Sequence, residues 1–221
     1  MSTLDYTHIP YSGPEALTFA HTVVHIVDDA ASDTLVVSTL KEHAYDGAVK
    51  LISTTEALNR AEGAERVAVE AQDVAEDAAD GAVRAGFGYA GLLGGTEARS
   101  LLRAVCGGLT YGEIVRLSGH EQVHTVRGFA QQARAHTDRF GLTEKHLDNI
   151  ETTNETLATT TTAADDAARV TAAARLARRE ADAAFVKCAR ICNKILTALL
   201  PRETLATLLP RFERKRASAA E

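Results

Sequence analysis

Small and apolar residues recur at alternating steps of three and four from Ile150 to Leu199. The positions are Ile150, Thr153, Leu157, Thr160, Ala164, Ala167, Thr171, Ala174, Arg178, Ala181, Phe185, Cys188, Cys192, Ile195 and Leu199. This spacing is typical of one face of a long α-helix that packs against a partner helix along its length. We therefore predict one helix over about 144–199, with the threonine-rich segment 159–162 inside it. Fifty residues at helical rise extend about 75 Å.

Shorter runs with the same spacing occur earlier in the chain. The first contains Leu17, Ala20, Val24, Val27 and Ala31, and the second contains Val37, Leu40, Ala44, Ala48, Leu51, Thr55 and Leu58. A third run of smaller residues contains Ala64, Val67, Ala71, Val74, Ala78 and Ala82. A fourth contains Val123, Val126, Ala130, Ala133, Thr137 and Phe140. Each run predicts a helix with one packed face.

Glycine and capping residues predict where these helices begin and end. The segment 81–95, GAVRAGFGYAGLLGG, predicts the tip or hinge of a helical hairpin. Ser32 and Asp33 are capping residues that favour a break before the second run. Thr110-x-x-Glu113 and Ser118-x-x-Glu121 both match the capping box. Gly107-Gly108 and Gly141 suit helix ends.

These signals predict an all-α protein, an elongated antiparallel helical bundle of coiled-coil-like hairpins with one long C-terminal helix. Proline is absent between Glu15 and Leu200, so helices are permitted almost anywhere in that range. We expect an acidic helical hairpin region over 1–95. A second hairpin region over 96–221 carries the long helix and a basic tail. One continuous bundle is the alternative.

Composition and charge favour association of helices. Alanine supplies much of the apolar content and buries little area, so thin seams stabilise a monomer weakly. Residues 1–98 hold 5 Lys/Arg against 16 Asp/Glu, a net charge of −11, whereas residues 169–216 hold 12 against 4, a net charge of +8. The opposite charges suit pairing within a chain or between copies, although each run is equally explained as a solvated helix face.

The expected location is the cytoplasm, and no membrane role is expected. The segment 1–13 lacks the basic and apolar regions of a secretory signal, and no stretch approaches 18 uncharged apolar residues. Cys106, Cys188 and Cys192 form no disulfide framework. Two of these cysteines lie in the long seam, where a reduced thiol packs as a small apolar residue.

The most specific chemical motif is His120-Glu121-Gln122-Val123-His124, which matches H-E-x-x-H. The two histidines lie one helical turn apart and so project on the same side of a helix. These five residues resemble the helix of the zincin metallopeptidases. The resemblance implies that His120 and His124 bind zinc and that Glu121 is the general base.

Helical geometry favours a different interpretation of this motif. With Val123, Val126, Ala130 and Ala133 in the seam, His120 is turned about 100° and His124 about 140° from its centre. If the helices 119–140 and 144–199 form a hairpin, residues whose numbers sum to about 282 are level, which places Glu155 near Arg127 on an undetermined face. Zincins pair this helix with a β-sheet, and no strand pattern accompanies the motif here. We therefore expect the histidines to be exposed and assign no metal ligand or catalytic residue. A zinc hydrolase is the alternative.

Three other motifs in the sequence are less specific. Residues 109–140 resemble the helix-turn-helix of bacterial transcription factors, with Val115 at the small inner position and Gly119 at the turn. Their net charge of +1 gives little basis for contacts with phosphate, so nucleic acid is an unlikely partner. His21 and His25 repeat the one-turn spacing, with His43 in the next run, and a composite metal site is the alternative to chance. Gly86-x-Gly88-x-x-Gly91 follows a helical run, which favours a glycine hinge over a dinucleotide site.

The expected function is that of a non-catalytic, self-associating helical scaffold or interaction protein without cofactor. A homo-oligomer is the expected assembly. The alternatives are the zinc hydrolase using His120, Glu121 and His124, and nucleic-acid binding through 109–140.

Overall fold

The computed structural model describes residues 13–31, 34–93, 95–135 and 140–208. The helices are α1 (Gly13–Asp28), α2 (Leu35–His43), α3 (Tyr45–Leu93), α4 (Gly95–Val105), α5 (Tyr111–Ile114), α6 (Gly119–Ala135), α7 (Glu144–Leu199) and α8 (Arg202–Leu208). No strand occurs within these described ranges. The predicted all-α fold is confirmed. Ser32, Asp33, Thr137 and the basic tail lie outside the described residues.

The long helix predicted over 144–199 is confirmed as α7. Every seam position from Ile150 to Ile195 is buried or half-buried, and only the last one, Leu199, is exposed. The threonine-rich segment is helical, and the hydroxyls of Thr159, Thr160 and Thr162 donate to carbonyl oxygens four residues earlier, which satisfies them within the helix.

The described residues group into two compact units. The first unit combines two separate parts of the chain, and the second is one continuous range. Unit 1 joins the described residues of Met1–Ala61 to those of Thr171–Glu221, and unit 2 covers Glu62–Val170. This grouping differs from the division expected from chain order, 1–95 and 96–221. A boundary after residue 95 would separate α3 from the part of α7 that it packs against in unit 2. The expected division into 1–95 and 96–221 stays a prediction.

The core of unit 1 is built around two aromatic rings from distant parts of the chain. Phe19 of α1 and Phe185 of α7 have ring centroids 5.9 Å apart. Leu40, Leu51, Cys192 and Leu196 surround them and are fully buried. The first two predicted seams are confirmed in this core from Leu17 to Val27 and from Val37 to Leu58, although a turn at Ala44 divides the second run between α2 and α3.

In unit 2, α6 and α7 form the predicted antiparallel hairpin. Arg134 donates to Asp148 at 2.7 Å, and the amide of Asn154 donates to the Val123 carbonyl at 3.0 Å. The residue numbers of the first pair sum to 282, the expected register, and those of the second pair sum to 277, five residues from it. The α6 seam residues Val123, Val126, Ala130 and Ala133 are buried, and so is Phe140, which follows α6 in the same predicted run.

The glycine-rich segment 81–95 is not the tip of a hairpin along most of its length, which corrects the sequence expectation. Helix α3 continues to Leu93, and Gly95, the first residue of α4, has a φ of +60°. Packing explains the glycine at position 86. A β-carbon there would lie 2.8 Å from Cδ1 of Ile150, so the absent side chain allows α3 and α7 to approach closely.

Signals at the ends of the shorter helices are confirmed. Gly107 and Gly108 adopt φ of +67° and +86° after α4, and Gly141 adopts +65° before α7. The Thr110 backbone N–H donates to the Glu113 carboxylate at 2.7 Å, which closes the first predicted capping box. These hydrogen bonds from Thr110 lower the pKa of Glu113.

Gly119 and Gly128 of α6 offer a matched test of this packing. A β-carbon at Gly119 would lie 2.8 Å from Oγ1 and 3.2 Å from Cγ2 of buried Thr161, whereas one at Gly128 would meet nothing within 4 Å. We expect Gly119→Ala to lower the free energy of unfolding by about 1–3 kcal/mol through overpacking. Gly128→Ala should raise it by roughly 0.5–1 kcal/mol through helix propensity. Urea denaturation followed by circular dichroism measures both changes, and an equally stabilised Gly119→Ala would contradict the close approach.

Candidate functional site

The H-E-x-x-H motif occupies the first turns of α6, and its three candidate residues are all exposed. Glu121 stands three residues after Ser118 and accepts hydrogen bonds from the Ser118 hydroxyl at 2.9 Å and from its backbone N–H at 3.3 Å. These hydrogen bonds supply the glutamate half of the second predicted capping box. The carboxylate that a zincin would use to activate water therefore takes part in starting the helix.

His120 has a partner from another helix. Its Nε2 lies 2.8 Å from Oδ2 of Asp165 of α7, and both side chains are more than half exposed. His124 is exposed one turn further along α6. Within the described ranges, no group of three or more His, Cys, Asp or Glu side chains is arranged to hold a metal ion. The motif has the spacing of a zinc helix, but in the described residues His120, His124 and Asp165 do not form such a group.

The second histidine pair is also exposed, and one of its members also contacts a carboxylate. His21 and His25 are exposed on α1, and Nδ1 of His25 contacts Oδ2 of Asp29 one turn later. His43 of α2 lies 3.8 Å from its neighbour Glu42. Each contact is local to one helix end, so the structure gives no composite site among these three histidines.

Two of the three cysteines, Cys106 and Cys192, belong to the hydrophobic cores. Cys106 and Cys192 are buried, and Cys188 is half-buried one turn before Cys192 on α7. Burial raises the pKa of Cys106 and of Cys192 to about 11. A thiol with a raised pKa is a poor nucleophile near neutral pH, because the thiolate is the reactive form.

Two other candidate motifs have structural explanations. Gly86, Gly88 and Gly91 lie inside α3 with no strand before them, so the G-x-G-x-x-G spacing does not form a nucleotide loop. In the segment 109–140, Gly119 is the first residue of α6 and packs against Thr161, whereas the preceding helix α5 has only four residues.

The most unusual surface is one that the sequence analysis placed in a packed seam. Five residues of the third run, which we call the α3 stripe, are exposed: Ala64, Val67, Ala71, Val74 and Ala78. Val67 is 62% and Val74 is 70% exposed, and Ala82 is the one member of the run that is buried. Helix α3 packs instead through a neighbouring face that contains Ala75, Ala79 and Val83. The pattern correctly placed these residues on one face, but their expected partner is not found in the described part of this chain.

Acidic side chains border the α3 stripe on its solvent side. Glu70 follows Val67 by three residues, and Asp77 follows Val74 by three, so each lies beside a valine on the helix surface. Asp73 lies near them. Between Glu62 and Asp80, the exposed charged residues are acidic except for Arg66. The stripe is therefore an apolar strip beside a strongly negative strip.

Substitution of Glu121 separates a capping role from a catalytic one. We expect Glu121→Ala to destabilise the protein by about 0.5–2 kcal/mol through loss of the cap. Glu121→Gln should retain most of the stability, because an amide oxygen also accepts from Ser118. Thermal unfolding measures both variants. Equal destabilisation by the two substitutions would contradict the capping role.

Thiol titration tests the packing of the cysteines. In the native protein near pH 8, we expect a thiol reagent to modify Cys188 first, because Cys106 and Cys192 are buried and have raised pKa values. Cys188→Ser should remove the early reaction, and unfolding in urea should expose the remaining thiols. Fast modification of all the cysteines in the native protein would contradict this packing.

Comparison with known proteins adds no name to these features. No protein-family model matches this chain, and the searches of curated proteins and of solved structures found no match. Among the described residues, no helix is long and apolar enough to cross a membrane.

Proposed function

We propose that this protein is a non-catalytic helical scaffold that self-associates by burying the α3 stripe. The observation that carries the proposal is the exposure of Val67 and Val74 in a run with unbroken three-four spacing. This is the spacing that positions residues for knobs-into-holes packing against another helix. Elsewhere in the chain, residues with the same spacing are buried in α6 and α7.

The small residues of the stripe suit close packing of helices. Alanine at positions 64, 71 and 78 leaves little side-chain bulk between two backbones, and each valine supplies a larger apolar side chain. Fully burying a valine side chain contributes roughly 1.5–3 kcal/mol. Burial of Val67 and Val74 on each copy is therefore a substantial part of the free energy of a specific contact.

The geometry of the other candidate sites gives less support to a catalytic function. The zinc hydrolase needs Glu121 free to activate water, and its carboxylate bonds to Ser118. It also needs three zinc ligands that converge. His120 pairs with Asp165, but no three His, Cys, Asp or Glu side chains among the described residues are arranged to hold a metal ion. Binding of nucleic acid through 109–140 has little support, because the described residues of this segment form no basic surface. We therefore propose no cofactor.

Variants of the stripe test the proposal. We expect Val67→Glu/Val74→Glu to weaken self-association at least about tenfold, since each 1.4 kcal/mol lost is a factor of ten. Added carboxylates would be desolvated at the contact, next to the existing Glu70 and Asp77. Light scattering coupled to size-exclusion chromatography, over a range of loading concentrations, measures the change.

The matched control is Val49→Glu/Val69→Glu. These two valines of α3 are also exposed, at 42% and 43%, but lie outside the stripe. The control should associate like the unaltered protein, and both double variants should keep the helical circular dichroism signal. Equal loss of association in the two double variants would show that the stripe is not the contact.

A further inference from the structure

We infer that the α3 stripe of one copy packs against the exposed basic face of α7, between Thr171 and Leu199, in a second copy. This inference rests on the proposed self-association and names the surface that the stripe contacts. The argument combines three observations: the acidic border of the stripe, the basic character of the exposed α7 residues, and exposed apolar residues on both helices.

The exposed charged residues of α7 between Thr171 and Leu199 are basic, with Glu180 as the exception. Arg179, Lys187 and Lys194 belong to this set. The negatively charged strip at Glu70, Asp73 and Asp77 is its electrostatic complement. Complementary charges at the edge of an interface favour the correct partner and accelerate the encounter.

Apolar residues accompany these basic side chains. Leu176 is 58% and Ile191 is 50% exposed. Leu176, Ala183, Lys187 and Lys194 are separated by seven, four and seven residues, so they lie on one side of the helix. We call this surface the basic α7 face, and it comprises Leu176, Arg179, Ala183, Lys187, Ile191 and Lys194. Its members are spaced by three or four residues, as in the α3 stripe, although the order of the steps differs. The long lysine stems can cover apolar surface next to the valines.

Electrostatics disfavour the simplest alternative, in which two α3 stripes pair with each other. A parallel pair would place Glu70, Asp73 and Asp77 beside their own copies. An antiparallel pair centred between 73 and 74 would place Glu70 opposite Asp77. Both arrangements bring like charges together at the edge of the contact, which is unfavourable.

Two charge-reversed variants test which surfaces meet. The first, Glu70→Lys/Asp73→Lys/Asp77→Lys, makes the strip beside the stripe basic. The second, Arg179→Glu/Lys187→Glu/Lys194→Glu, makes the basic α7 face acidic. All six residues are exposed, and each substitution keeps a residue compatible with a helix. Controls with equal changes in net charge are Glu42→Lys/Glu97→Lys/Glu155→Lys and Arg99→Glu/Arg127→Glu/Lys145→Glu, at exposed positions outside both surfaces.

We expect each charge-reversed variant alone to self-associate at least about tenfold more weakly than the unaltered chain, because like charges then face each other. Mixing the two variants should restore association, because the basic strip of one copy then meets the acidic α7 face of the other. The controls should associate like the unaltered chain. Association of the unaltered chain should also weaken as salt is raised from about 0.05 to 0.5 M, because salt screens exposed charges. Sedimentation velocity with one fluorescently labelled partner measures the mixed species.

The possible failures are distinguishable. If the unaltered chain does not associate, the proposed function fails. If it associates but mixing the two variants restores nothing, self-association stands and the pairing with α7 is wrong. If the second variant alone associates as tightly as the unaltered chain, the basic α7 face is not used. That result would favour contact between two α3 stripes.

Discussion

The structure depends on the continuous burial of one face of α7. From Ile150 to Ile195 this face supplies residues to the cores of both units, including Leu157 in unit 2 and Phe185 in unit 1. Helix α3 likewise contributes Leu51 to one core and Val83 to another. Both long helices contribute side chains to two cores, so they must pack closely along their length. Their small alanine, threonine and glycine residues permit this close packing. The same composition leaves little bulky apolar surface to cover the rest of α3.

This constraint gives the candidate function a physical origin. A helix surrounded by partners would bury both apolar faces, but α3 buries Ala75, Ala79 and Val83 and leaves Val67 and Val74 exposed. Singly exposed apolar residues are common on protein surfaces, whereas a periodic run of them is not. The acidic border at Glu70 and Asp77 limits which surface can cover the run. The basic α7 face supplies the complementary charge and an apolar repeat.

Much of the fold was predictable from local pattern, and the errors have clear physical causes. The α7 and α6 seams, the Thr110 cap and the glycine ends at Gly107 and Gly141 follow from spacing and backbone preference. The continuity of α3 through Gly86 was missed, because glycine's low helix propensity is offset there by close packing on Ile150, a contact between residues far apart in sequence. Spacing placed Val67 and Val74 on one face, but it contains no information on whether the partner belongs to the same chain.

The candidate site shows the same limit. The i, i+4 spacing of His120 and His124 predicts that both project from one side of α6, and their exposure follows from the seam at Val123 and Val126. The pairing of His120 with Asp165 required the hairpin register, and sequence gave that only approximately. The role of Glu121 in capping was recognisable from Ser118, because the capping box and H-E-x-x-H share that glutamate.

The mass of the unaltered protein in solution tests the central claim most directly. Sedimentation equilibrium at several concentrations should give a mass above the 23.6 kDa of one chain, approaching a multiple of it as concentration rises. A mass that stays at one chain over the whole concentration range would contradict the account, because the α3 stripe would then remain exposed to water in the native protein.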